Sequence, residues 1–453
     1  MKKFTFPFFL FIILTKSYAQ LNPAITSWLQ NTTQTGSYYT SGNSTPIGNN
    51  ILVNCQAIQY STNWVYVTTA GVPAYVTGPF QDGNPSQAQN QNAIFKIPLS
   101  PTQNTGALTA TTAGNIGVFI NGVALFDYRD GVAWNSSTNS LCGGPGNPPC
   151  PGGPNASMPW NRDAVPAEKP GFDCSKGHPA MGNYHHHQNP SAFKLDLNVI
   201  STICDLYDAD GLYAIDSNVH SPLIGFAYDG FPIYGAYGYK NADGTGGITR
   251  IKSGFQLRNI TNRLVWADGT DVADGPAVSS TYPLGYFRED YEFVAHPGQA
   301  DFLDAHNGRF CVTPEYPNGI YCYFATVDAN HNSAYPYAVG PTFYGTKVAS
   351  KVTSITETVT TYTSSADVED LSATTFSIFP NPTAEILVVQ SSGLLDGNVS
   401  AELVDADGKV IQTQTIYQGS TLCYFNVAIV YSGSYFLRIN EPGNQRTYTV
   451  VID

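Results

Sequence analysis

The sequence predicts a mainly β fold: a large Gly/Pro-rich β domain with long loops, followed by a small C-terminal β-sandwich. Three observations predict it. Gly (42) and Pro (30) are abundant while only 12% of residues are charged and 13% aromatic, the composition of a loop-rich, all-β extracellular protein, not of a disordered chain. Short runs alternate apolar and polar residues, the period of a half-buried strand. Gly, Pro and Asn-Gly or Asp-Gly steps separate those runs and mark turns. The net charge of −13 argues against nucleic acid as a partner, because a polyanion would be repelled.

Residues 1–19 read as a secretory signal. Lys2 and Lys3 form the charged region, Phe4 to Leu14 the apolar region, and Ser17-Tyr18-Ala19 the cleavage site. The apolar run is too short to span a bilayer and no second long one follows, so the mature form is expected to begin at Gln20 without a transmembrane segment. Export makes disulfides plausible for the eight cysteines, which allow 105 pairings. Cys142 and Cys150 bracket a Gly/Pro loop with little else to order it. Cys311 and Cys322 flank a turn-rich segment and are placed to bridge a hairpin. Cys174 and Cys204 surround a histidine-rich stretch.

Residues 20–50 are Thr-, Ser- and Asn-rich and are expected to be a lead-in segment. The β domain then occupies 51–345. Val53 to Thr69 alternates as strands do. Phe95 to Pro98 is another strand, and Gly117 to Phe126 a hairpin turning at Asn121-Gly122. Trp160 to Glu168 tolerates helix. Glu168 and Asp173 bring carboxylates toward the histidines, and for each alone a solvated loop is the expected role. Asp208-Ala209-Asp210-Gly211 begins like a calcium loop but lacks the later bidentate glutamate, so it reads as a turn. Leu223 to Ala227 reads as a buried strand, Asp229-Gly230 as a tight turn and Phe231 to Tyr234 as the return. After 346–375, one strand (Lys351 to Tyr362) and a polar linker, residues 376–453 hold strands over Phe376–Phe379, Ile386–Gln390, Ala401–Val404, Val410–Ile416, Leu422–Val427 and Ser434–Ile439.

Four of the eight histidines fall between His178 and His187. On a strand, His185 and His187 share one face and His186 takes the other. With His178 just upstream, they make three legs of a metal site. His220 and His306 are further candidate ligands, and Asp304 a candidate carboxylate. Imidazole-rich sets suit copper or zinc; calcium, which prefers oxygen shells, fits less well.

The run Tyr184-His185-His186-His187 resembles the Tyr-His-Tyr-His signature of the YHYH domain family, with His186 in place of the second tyrosine. Gly225-Phe226-Ala227-Tyr228-Asp229-Gly230-Phe231-Pro232-Ile233-Tyr234-Gly235 resembles that family's other distinctive run. The block from Asp304 to Phe324 looks like a degenerate echo of Asn183 to His187, with Tyr321 and Tyr323 alternating after an Asn-Gly turn. The resemblance covers roughly Cys55 to Gly345. It implies a secreted β-rich domain and no particular activity. Phe379-Pro380-Asn381-Pro382, Asp405 to Lys409 and Gly433 to Ile439 resemble the C-terminal sorting domain of type IX secretion, which carries cargo across the outer membrane of Bacteroidota; the final Val450-Val451-Ile452-Asp453 departs from the basic tail usual there. That resemblance implies the type IX machinery as a partner and a secreted or outer-cell-surface location. Three functions remain open: divalent metal binding, a metal-dependent or His-assisted secreted enzyme, and a glycan- or protein-binding module with a structural histidine cluster. No nucleophile elbow, phosphate loop or His-Glu-x-x-His helix is present, which disfavours hydrolase and nucleotide chemistry.

Overall fold

The structure, a computed structural model, describes residues 21–80, 87–144, 146–153, 158–197, 202–207, 210–348, 350–363, 375–392, 395, 397–405, 408–417, 421–441 and 444–453. The signal segment 1–19, Asp208-Ala209 of the calcium-like run and most of the polar linker that ends at 375 lie outside the described residues. The chain forms two compact units, Met1–Thr363 and Ser364–Asp453. Among the described residues no helix is long and apolar enough to cross a membrane.

An eight-stranded sheet organises the first unit. Its strands are β1 (Asn115–Phe119), β2 (Ala124–Phe126), β3 (His178–Ala180), β4 (Asn183–His186), β5 (Leu223–Ala227), β6 (Pro232–Tyr234), β7 (Gly308–Cys311) and β8 (Ile320–Phe324). They lie in the order β3-β4-β2-β1-β5-β6-β8-β7. Only β4 beside β2 and β8 beside β6 run parallel, and every other neighbour is antiparallel. Leu223 to Ala227 is buried along its whole length, which is why this strand reads as a continuous apolar run rather than an alternating one. A five-stranded sheet holds Trp64–Thr69 and Cys55–Tyr60 at its centre, and the main apolar core joins its side chains (Ile58, Val65, Val67, Phe95) to those of the larger sheet (Val118, Phe226, Ile233, Tyr323).

The Asn121-Gly122 and Asp229-Gly230 turns form where expected, each with its glycine in the left-handed region (φ 76° and 89°) that a side chain would strain. Three expectations change. The stretch before Asn50 is not merely a lead-in: Thr35–Thr40 and Asn43–Leu52 pair as a two-stranded ribbon, held by backbone pairing that polar residues supply as well as apolar ones. The run Lys351 to Tyr362 is not one strand; Ser350–Val352 and Thr360–Tyr362 cover opposite edges of the five-stranded sheet. Cys142 joins Cys150 and Cys174 joins Cys204, but Cys311 and Cys322 are free and buried. The β7/β8 register explains the last: Cys311 stands opposite Ile320 and Cys322 opposite Arg309, so the thiols are offset rather than paired across the hairpin.

The second unit packs a three-stranded sheet (Phe376–Phe379, Ile386–Ser391, Leu422–Asn426) and a four-stranded one around a core that includes Leu387, Phe425, Leu403 and Leu437. Its last strand, Asn444–Ile452, pairs along the full length of Gly433–Glu441 and was not expected from the sequence, although Val450 and Ile452 alternate inward.

Candidate metal centre

β3 and β4 are one hairpin, and its turn decides the site. Met181 (φ 50°) and Gly182 (φ 80°) are both left-handed, the backbone of the tight turn that matches strand twist. That turn sets a register in which His178 stands directly opposite His185. Their rings therefore meet on one face, with centroids 4.6 Å apart. His187 follows β4 on the same face, and its Nε2 lies 3.1 Å from that of His185.

A loop locks the hairpin from below. Asp173 is fully buried, and its carboxylate accepts from Ser175 N, Gly177 N, Gly78 N and the Tyr184 hydroxyl at 2.9–3.1 Å. Burial pushes this carboxyl up to about 7 against the pull of those donors. Lys176, also buried, pairs with Asp196 and turns its carbonyl to His186 Nδ1. His186 points away from the other imidazoles, as the alternation requires; its Nε2 meets the Tyr75 hydroxyl at 2.7 Å, and burial pushes its pKa down to about 3.

The fourth group is Glu168, the last residue of the short helix Ala164–Glu168. Asp163 caps that helix, accepting from Val165 N at 3.0 Å and from the Tyr337 hydroxyl at 2.7 Å. Glu168 Oε2 lies 3.2 Å from His178 Nε2 and 3.1 Å from His187 Nε2. Read from sequence as a loop carboxylate, Glu168 was missed; the available signal was an acidic residue closing a helix-tolerant segment just before the histidines.

The outer nitrogens orient the rings. His185 Nδ1 meets Asn183 O at 2.8 Å and His187 Nδ1 meets Asp127 O at 2.6 Å. A carbonyl only accepts, so both Nδ1 atoms carry hydrogen, and in the neutral rings both Nε2 atoms present lone pairs. The ligand atoms of His178, His185 and His187 all lie within 4.8 Å of one another. Phe126 stacks on His185 at 3.8 Å, and Phe172 flanks His178 and His187. Burial, reinforced by the adjoining His187 and His178, pushes the His185 pKa well below the usual imidazole range. Burial raises the Glu168 carboxyl, but the adjoining His178 and His187 outweigh it and hold the carboxyl far below its ordinary value.

The other sequence candidates lie outside this group. His220 Nδ1 donates to Ser221 O at 2.7 Å, and its ring packs on Tyr234 and Tyr239. His306 Nδ1 meets Thr342 Oγ1 at 2.7 Å. Asp304 accepts from the Tyr321 hydroxyl and from His306 N and Gly308 N, which makes it part of a turn.

Fold and site together define a mainly β protein built around a buried cluster of three imidazoles beside a carboxylate. Residues 94–335 match the YHYH protein family, and the chain belongs to it. Residues 377–453 match the secretion system C-terminal sorting domain, which makes this a secreted or outer-cell-surface protein and a client of the type IX machinery. No curated relative matches the chain.

Proposed function

We propose that the YHYH domain binds one divalent ion, zinc or copper, through His178, His185, His187 and Glu168. The observation that carries this reading is the convergence of three Nε2 atoms and one carboxylate oxygen while the Nδ1 atoms of His185 and His187 are committed to carbonyls. Two neutral Nε2 lone pairs 3.1 Å apart repel unless a cation lies between them. A proton bridges only two such atoms at a time, whereas a tetrahedral ion satisfies all four. The backbone carbonyls that fix the imidazole tautomers are the orienting partners metal-binding histidines commonly have. Four protein groups leave no open position, and the histidines are 2–6% exposed. Those features favour a structural or storage role over a catalytic one. The sorting domain supports an exported protein as the host of that ion, and the N-terminal signal pattern supports a mature form that begins at Gln20.

The test is titration calorimetry of untagged, metal-stripped protein with zinc and with copper(II), beside the His185→Ala/His187→Ala variant. The expected result is one site per chain in the native protein and none in the variant. Equal affinity in both would return the cluster to a purely structural role.

A further inference from the structure

The eight-stranded sheet repeats itself. β1 and β2 pair as Asn115↔Phe126, Gly117↔Leu125 and Val118↔Ala124; β5 and β6 pair as Leu223↔Tyr234, Gly225↔Ile233 and Phe226↔Pro232, with the irregularity at the same step. Both turns close with the same two backbone bonds and the same side-chain cap, Asn121 on Val123 N and Asp229 on Phe231 N. β1 pairs with β5 self-complementarily: Val118 faces Phe226, Gly117 faces Ala227 and Phe119 faces Gly225. Equivalent residues thus exchange places across the strand pair, the signature of a two-fold relation.

The outer hairpins repeat as well. In each, an aspartate (Asp173 or Asp304) accepts from the backbone two and four residues on and from a strand tyrosine (Tyr184 or Tyr321). The residue before the glycine is left-handed in both, Lys176 at φ 62° and Asn307 at φ 64°. Each hairpin then runs parallel to the inner strand in the same register, His186 beside Leu125 and Tyr323 beside Ile233. This correspondence sets Arg309 at the place of His178, Cys322 at that of His185 and Phe324 at that of His187.

We propose that the domain is a duplicated unit whose second copy holds a converted metal position, formed by Arg309, Cys322 and Phe324. The frame that places the ligands is kept in both copies and the ligands only in the first. An imidazole trio has become a guanidinium, a thiol and a phenyl ring, and the guanidinium now lies over that ring at 5.4 Å. An arginine at this place disfavours a cation, so the chain takes one ion and not two. The proposal rests on the metal reading for that stoichiometry, and on the registers alone for the duplication.

Two variants test it, with zinc alone as probe and metal per chain measured by elemental analysis after gel filtration. Arg309→His/Cys322→His/Phe324→His is expected to raise zinc from one to two per chain. The reciprocal His178→Arg/His185→Cys/His187→Phe is expected to lose zinc yet keep native near-ultraviolet circular dichroism, because the second copy shows that its frame accepts those side chains. A folded first variant that still binds one zinc overturns the proposal. If that variant does not fold, the reciprocal decides: native dichroism supports the duplication, and an unfolded chain overturns it. Native protein that binds no zinc removes the metal reading, and the duplication then stands or falls on the reciprocal variant's fold.

Discussion

Adding one methyl group at either of two matched glycines separates the frame of the site from its ligands. A Cβ at Gly177 would lie 2.4 Å from the Tyr184 hydroxyl, 2.5 Å from its ring carbon and 3.0 Å from His185 O. A Cβ at Gly308 would lie 2.3 Å from the Tyr321 hydroxyl and 2.4 Å from its ring carbon. In each case the tyrosine must move, and its hydrogen bond to Asp173 or to Asp304 goes with it. Overpacking costs about 1–3 kcal/mol, and losing a hydrogen bond to a charged group about 1.5–3 kcal/mol. Taking the low end of each, Gly177→Ala and Gly308→Ala should each destabilise the protein by about 2.5 kcal/mol, read from the midpoint of urea unfolding with a chelator present. Only Gly177→Ala also moves His185, so only it should weaken zinc binding, by about 10–100-fold, the usual effect of removing an orienting partner. Tolerance of Gly177→Ala within about 0.5 kcal/mol, the range of a neutral surface change, would refute the packing argument. Equal loss of zinc affinity in both variants would refute the assignment of the site to one hairpin.

Three further outcomes are expected. Replacing both Cys142 and Cys150 with alanine should cost about 2.5 kcal/mol, the loop entropy of a bridge spanning 8 residues, and non-reducing peptide maps should show the Cys142–Cys150 and Cys174–Cys204 links with Cys311 and Cys322 as thiols. His186 stays neutral in the fold down to about pH 3, while the unfolded imidazole takes up its proton near 6.5; the unfolded state then binds more protons, so stability is present above pH 6.5 and is lost as pH falls, by about 1.4 kcal/mol per unit. His186→Gln should remove that slope, and parallel stability curves from pH 7 to 5 would contradict it. Mass spectrometry of the exported protein should find Gln20 as its first residue and the 376–453 module removed; intact precursor in the cytoplasm would sink that reading.

The fold was legible where local chemistry decides structure. Asn121-Gly122 and Asp229-Gly230 signal their turns in two residues each, and the Leu223 to Ala227 run signals a strand buried on both faces. His185 and His187 were legible as a pair because alternation is a property of the strand itself. Glu168 was not legible, since a helix end, a capping aspartate and the β3/β4 hairpin must all be in place before its carboxylate meets the imidazoles. His220, His306 and Asp304 attracted attention because they sit in or beside the blocks that carry the family resemblance, and the block from Asp304 to Phe324 also echoes the histidine stretch. The structure accounts for that likeness: Asp304 and His306 belong to the repeated frame, where they do the work of Asp173 and Ser175 in the other copy. Cys311 and Cys322 misled for a related reason, because a turn-rich spacing says that two residues are near and says nothing of register.

The same frame bears on why the cluster is more than a packed core. The second copy shows that this hairpin folds with Arg309, Cys322 and Phe324 at the three facing positions, so the backbone alone has no need of imidazole there. Three buried imidazoles around a carboxylate are a poor way to fill a core, since each brings polar atoms that must be satisfied where water is scarce. Phenyl and aliphatic side chains fill equivalent space without that cost, as Phe324 does. A set of side chains that is unfavourable for packing, kept in one copy and replaced in the other, is what the proposed metal binding would require. On the proposed metal reading, the 23% exposure of the Glu168 side chain, against 2% for His187, makes the carboxylate the side open to an entering ion.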